Sequence, residues 1–308
     1  MIKRYNSLYF GSIGIRESLV VLASLFKIFQ NHKKIEKKLH SKICHTFSAP
    51  KCFTYSSARG ALADFLNSIN LEKQDEVILT SFTCLAVPTA IIASGAKPVY
   101  CDINYESMNQ TLESIKLCVS EKTKVIIAQH TMGHPVDIDN IVSYAKTRGI
   151  IVIEDCALSI GTKMNDKFLG TYGDASIFSL ELSKTVSSGW GGLLIVNNEK
   201  MTHSISINYN NHTPLSFLKN YRMIFQTFLC GIIYHPKIYF LGKYLYWFMY
   251  KINFFKSSTP QSEHYGDISN DFISKLGKPQ AYLALSQFKK IDSIFKSCNK
   301  NFNLVSSI

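Results

Sequence analysis

From residue 53 to residue 198, short runs of Val, Ile and Leu alternate with helical stretches, and no other feature restricts the fold as much. The runs are Glu76–Thr80, Pro98–Ile103, Lys124–Gln129, Ile150–Glu154, Ser176–Leu180 and Leu193–Asn197. Strands covered on both faces read as unbroken apolar runs, whereas half-exposed strands alternate. Ala58–Ile69, Val87–Ser94 and Ile138–Arg148 carry helical spacing between them. Strands alternating with helices predict an α/β layer around a mainly parallel sheet.

The flanks differ. Residues 1–50 read as a basic helical segment, and 51–200 hold the α/β layer. Residues 201–267 form an aromatic-rich, irregular helical insertion. Residues 268–308 return to a helix, with Leu283, Leu285, Phe288, Ile291 and Ile294 apolar. At 308 residues and 46% hydrophobic, the chain can bury a large core plus part of a second domain.

A net charge of +12 favours anionic partners. The excess is diffuse, and its densest stretch, Lys33 to Lys42, reads as a solvated helix face. With no aromatic interleaving and no nucleic-acid motif, nucleic acid is not expected. None of the eight cysteines forms a CxxC pair or a zinc-type cluster, so buried reduced thiols in a cytoplasmic protein are expected, and no metal. Residues 1–18 lack a signal-peptide core, and Leu19 to Phe26 is too short to span a bilayer. The segment 224–255 is the most lipid-like, but His235, Pro236, Lys237, Lys243 and Lys251 interrupt it. It reads either as a peripheral membrane contact or as a helical pair buried in the protein or a dimer interface.

Three elements carry candidate chemistry. Ser57 is a good N-cap for a helix whose first turn holds Ala58, Arg59 and Gly60. Such a turn can bind a phosphate, or simply be capped. Glu154 and Asp155 sit at the carboxyl end of the run IIVIE, where carboxylates point into an α/β crevice. Asp155 there either holds a proton on a cofactor ring nitrogen or serves as a cap or ion pair. Lys184 follows the run SIFSL and precedes the glycine-rich SSGWGG. A desolvated lysine can attack a carbonyl; an exposed loop lysine does nothing of the kind.

The segments SSARGAL, DEVILTSFTC, SGAKPVYCDI, QHTMGHPVDID, VIEDCA, GTYGDASIFSLELSK, GWGGLLIVNN and QAYLALSQFKKID occur in one order. On these the chain resembles the DegT/DnrJ/EryC1/StrS aminotransferases, from about Cys52 to Asn198 and more weakly to about Ile294. The resemblance implies a fold type I pyridoxal 5'-phosphate enzyme with a mainly parallel seven-stranded sheet. Lys184 would bond the cofactor and then move the proton, and Asp155 would pair with the ring nitrogen. Ser57, Ala58, Arg59 and Ser179 would bind the phosphate. Relatives that dehydrate sugars carry histidine where Lys184 stands, so lysine implies amino transfer. The implied substrates are a nucleotide-linked keto-sugar and an amino donor such as glutamate, in the making of an amino sugar for a surface polysaccharide. A two-fold homodimer is implied as well.

Four departures accompany the resemblance. Cys84 stands where relatives place an aromatic residue over the cofactor ring. Leu158 replaces a Gln or His that touches the ring's 3′ oxygen. Ile273-Ser274-Lys275 replaces an Asn-Tyr-Arg phosphate contact from the neighbouring subunit. The chain is expected to lack most of the small C-terminal domain, which leaves a catalytically impaired cofactor-binding homologue or partner subunit as the alternative reading.

Overall fold

The computed structural model describes residues 13–25, 31–233, 235, 239–252, 254–255 and 266–306. Two helices open it, α1 (Ile15–Leu25) and α2 (His32–Phe47). The α/β layer follows as β1 (Lys51–Tyr55), α3 (Ala58–Ser68), β2 (Glu76–Thr80), α4 (Ala86–Ala93), β3 (Lys97–Cys101), α5 (Leu112–Cys118), β4 (Thr123–Gln129), α6 (Ile138–Thr147) and β5 (Ile151–Asp155). A small hairpin, β6 (Lys163–Met164) with β7 (Lys167–Phe168), precedes β8 (Ala175–Ser179) and β9 (Gly192–Val196). Helices then continue as α7 (Thr202–Asn211), α8 (Phe217–Ile233), α9 (Tyr239–Lys251), α10 (Asn270–Ile273), α11 (Lys278–Lys289) and α12 (Ile291–Ser306).

Seven strands form one sheet in the order β1-β9-β8-β5-β4-β2-β3. Every pair is parallel except those made by β9, which runs against both β1 and β8. The expected parallel character therefore holds, with one reversed strand. The six expected strands appear within a residue or two of their forecast ends. β1 was not expected, because KCFTY lacks the Val/Ile/Leu signature and earns its place by pairing with β9.

Side chains along each strand alternate between two apolar cores. Val77, Leu79, Val125 and Ile127 pack with Leu62, Phe65 and Leu66 of α3. Ile78, Ile126 and Ala128 face Ile138, Ile141 and Ala145 of α6. The sheet is thus buried on both sides, which is why its strands read as unbroken apolar runs.

The basic stretch in α2 is amphipathic. Ile35, Leu39, Ile43 and Phe47 form its buried stripe against Ala281, Ala284 and Phe288 of α11, while the lysines stay outside. Each fully buried side chain of that stripe contributes about 2 kcal/mol. The irregularity expected for the aromatic-rich region gives way to regular helices: α8 packs on α1, where Ser18 Oγ donates to the Phe228 carbonyl at 3.1 Å. None of the helices among the described residues is long and apolar enough to cross a membrane.

Candidate active site

Parallel strands bring their carboxyl ends to one edge of the sheet, where α/β proteins open a crevice. A cleft of about 370 Å³ lies there, within the range of small-molecule sites. Gln129 ends β4, Asp155 ends β5 and Ser179 ends β8, and all three line it. Because β9 is reversed, its start reaches the same edge. Tyr55 pairs with Gly192, so the chain leaves β1 at the cleft and α3 begins there.

That junction is tight. A Cβ on Gly192 would lie 2.2 Å from the Ser57 carbonyl carbon and 2.3 Å from the Ala58 nitrogen, so only hydrogen fits. Ser57 caps α3: its Oγ accepts the Gly60 N–H at 3.0 Å and donates to the Phe272 carbonyl at 3.0 Å. The hydroxyl proton is therefore already committed. The Arg59 guanidinium stacks 4.7 Å from the Phe272 ring. With α3 starting at the cleft, the positive end of its dipole lies at the cleft edge.

Asp155 is buried, and its Oδ1 accepts the Ala157 N–H at 3.0 Å. Burial pushes its carboxyl above the usual carboxylate range, while the Ala157 hydrogen bond and the Lys184 charge pull it back. A carboxylate so desolvated gains when a further cationic group approaches it.

Glu154 points the other way, as strand alternation requires. Its Oε1 accepts the N–H groups of Tyr172 and Gly173, each at 2.7 Å. Its Oε2 accepts the Gly170 N–H at 2.7 Å and lies 3.1 Å from His130 Nε2. His130 Nδ1 accepts the Val136 N–H at 3.2 Å, so Nε2 carries the proton and donates to Glu154. The reading that both carboxylates enter the crevice is corrected: Asp155 lines it, and Glu154 anchors the 170–173 loop from beneath. His130, Glu154 and Cys156 do place one ligand-type atom each within 4.8 Å, but both Glu154 oxygens and both His130 nitrogens are engaged in hydrogen bonds.

Lys184 sits in a turn closed by its own N–H to the Glu181 carbonyl at 3.0 Å and by Ser188 N–H to the Leu180 carbonyl at 2.9 Å. Gly189 has φ +80°, and a Cβ there would strike Thr227 Oγ1 of α8 at 2.2 Å. Two constraints, conformation and space, thus require glycine at 189.

The residues that the resemblance assigns to the cofactor, together with the departures Cys84 and Leu158, line this one cleft: Ser57, Ala58, Arg59, Cys84, Asp155, Leu158, Ser179 and Lys184. Leu158 presents its side chain to the opening at 55% exposure, and Cys84 is exposed too. Sequence reasoning missed Gln129, Glu181, Trp190 and Phe272, which also line it. Gln129 had a usable signal, a polar residue closing an apolar strand, and its amide bridges the Phe82 carbonyl and Thr131 Oγ1, both at 2.9 Å. Phe272 had none, since it arrives from 215 residues away. Lys275 is engaged within the chain: it bridges to Tyr55, and its Nζ lies 4.7 Å from the Tyr209 ring.

The chain is similar in sequence and fold to known proteins. GDP-perosamine synthase of Escherichia coli O157:H7 is 34% identical over 165 residues, covering 54% of this chain and 45% of that protein. GDP-perosamine synthase of Vibrio cholerae is 37% identical over 146 residues, covering 47% and 40%. The chain thus spans less than half the length of these curated relatives. Among solved structures, an aminotransferase from Psychrobacter cryohalolentis aligns with TM-score 0.66 at 21% identity, over 90% of this chain and 62% of that one. Helicobacter pylori PseC, an aminotransferase of pseudoaminic acid biosynthesis, aligns with TM-score 0.63 at 19% identity, over 89% and 62%. The fold is that of the fold type I aminotransferases. The family model for these enzymes matches residues 21–222. The chain belongs to the DegT/DnrJ/EryC1/StrS aminotransferase family.

Proposed function

We propose that this chain is a pyridoxal 5'-phosphate aminotransferase. It would move an amino group, from a donor such as glutamate, to the keto group of a nucleotide-linked sugar. The observation that carries the reading is that Lys184 and Asp155, from different stretches of chain, line one cleft with the start of α3.

The residues fit the cofactor. The tight Gly192–Ser57 junction holds the positive end of α3 at the cleft edge, where a phosphate is favoured. Ala58, Arg59 and Ser179 would hold that phosphate, with Ser57 acting as cap. Asp155, whose charge is poorly solvated, would keep a proton on the ring nitrogen. When bound, the cofactor supplies an electron sink for a carbanion at the amino-bearing carbon. The Lys184 amine would hold the aldehyde and, once displaced, take and return the proton, because its tether keeps it in reach. The cleft holds no aromatic side chain from position 84, so the Cys84 sulfur would lie against the ring.

The nucleotide-sugar class rests on the GDP-perosamine synthases among the relatives. A two-fold pair completing the site and an amino sugar destined for surface polysaccharide belong to the same reading. A second reading, cofactor binding without turnover, is favoured by Leu158, which cannot hydrogen-bond at the cleft mouth.

Absorbance tests both. The protein loaded with cofactor should show the visible band of lysine-bound pyridoxal phosphate, and glutamate should bleach it. Colour without bleaching supports the second reading. Lys184→Ala should abolish the borohydride-stable linkage; a linkage surviving in that variant refutes the assignment.

A further inference from the structure

The pair α8–α9 carries a surface for which the cleft has no use. From Lys200 to Ser262 the sequence has seven Lys and Arg residues and no Asp or Glu. The exposed side of α9 is apolar and aromatic: Phe240, Leu241, Tyr244, Leu245, Trp247 and Phe248 all face water, Leu241 at 71% and Trp247 at 61% exposure. Its inner side is narrow. Gly242 is buried, and a Cβ there would lie 2.3 Å from the Ile233 carbonyl, so α9 seats closely on α8. So dense an apolar surface on one exposed helix marks an interaction site.

The cations show which kind. Lys243 Nζ lies 5.3 Å from the Phe240 ring and 4.9 Å from the Tyr244 ring, and Lys251 Nζ lies 5.2 Å from the Trp247 ring. A lysine laid along an aromatic ring covers apolar surface with its stem while its ammonium group can still reach a polar layer. That is the pattern of a helix lying in a headgroup layer, with rings toward the acyl chains and ammonium groups among phosphates. At 13 residues α9 is about 20 Å long, suited to lying flat. A second copy is a poorer occupant. A two-fold contact would set this segment, basic throughout, against itself, with nothing acidic to answer Lys243 and Lys251.

We propose that the exposed face of α9, carried by α8, docks the protein on an anionic phospholipid surface. The docking pair packs beside the segment that leads to the lysine: Leu182, two residues before Lys184, shares an apolar cluster with Ile224, Cys230 and Ile233 of α8.

Vesicle co-sedimentation of the full chain tests this. Expected is pelleting with equimolar phosphatidylglycerol and phosphatidylcholine at low salt, release at high salt, and no pelleting with phosphatidylcholine alone. Of the two tryptophans, Trp190 is already buried, so a shift of emission to shorter wavelength on adding anionic vesicles reports Trp247. Lys243→Glu with Lys251→Glu should lower vesicle affinity about fivefold per lysine or more, and Trp247→Ser about tenfold, with circular dichroism unchanged. No pelleting with anionic vesicles at low salt overturns the proposal, as does equal binding by the double charge reversal. A lipid-free dimer that Trp247→Ser dissociates overturns it too, and assigns the face to a second copy.

Discussion

Replacing Gly192 with alanine tests the junction on which the cleft depends. The added methyl would sit 2.2 Å from the carbonyl carbon and oxygen of Ser57 and 2.3 Å from the Ala58 nitrogen. All three are backbone atoms, so no side-chain rotation relieves the clash. The ladder from Lys51↔Val196 to Tyr55↔Gly192 holds both sides in register. Ordinary contact therefore requires a shift of about an ångström between β9 and the start of α3. Overpacking of this kind costs about 3 kcal/mol. At a urea slope of about 3 kcal/mol per molar, the unfolding midpoint should fall by about 1 M. Losing one charge-assisted hydrogen bond at the displaced turn should weaken pyridoxal phosphate binding about tenfold, read by quenching of Trp190 in the cleft. Gly95→Ala is the control. Its φ is +86° but nothing lies within 4 Å of its Cβ, so it should cost about 1 kcal/mol and leave cofactor binding alone. If Gly192→Ala unfolds and binds like the parent chain, the close approach does not position the phosphate turn.

Three other outcomes are expected. His40 is largely buried against Thr54, and burial lowers its pKa from 6.5 to about 4, against the opposing pull of Glu36. The unfolded chain then takes up the proton first, so stability is full above about pH 6.5 and falls as pH drops toward about 4. The whole shift is worth about 3 kcal/mol, reduced to about 2 kcal/mol by residual solvent at the ring; urea unfolding should give a flatter acid limb for His40→Gln. Glu154→Gln sets an amide donor against backbone N–H groups that the carboxylate now accepts, and should cost about 3 kcal/mol by thermal or urea unfolding. The Cys44 thiol, 3.5 Å from Cys52 Sγ, is lowered to about 7 chiefly by that hydrogen bond. Its alkylation rate, followed by mass spectrometry, should rise through about pH 7, and Cys52→Ala should move that rise upward.

The chemistry of the cleft was legible because its parts are local motifs. Asp155 closes an apolar run, Ser57 precedes a helical stripe, and Lys184 sits between a strand and glycines; each is a pattern of a few residues. Leu158 and Cys84 carry no such local mark and were placed at the cleft only by the resemblance to the family. What escaped was whatever depends on partners distant in sequence. Phe272 accepts the Ser57 hydroxyl proton from 215 residues away, a partner that the cap motif by itself does not announce. Both carboxylates are buried, and their division of labour needed the 170–173 loop to fold back so that Glu154 is taken up by its N–H groups while Asp155 lines the cleft.

From the sequence alone come the alternation of buried strands and helices, the caps and the order of the motifs. All follow from periodicity and turn chemistry within short stretches of chain. The reversal of β9, the recruitment of β1 beside it and the delivery of α3 to the cleft were decided by tertiary packing. Strand partners are selected by which apolar faces and hydrogen-bonding edges meet when the chain closes on itself, and a run such as KCFTY carries no local mark of the neighbour it will find. The same holds for α9, whose aromatic spacing could equally suit a buried helix. Only its seat on α8, through Gly242, leaves those rings on the outside.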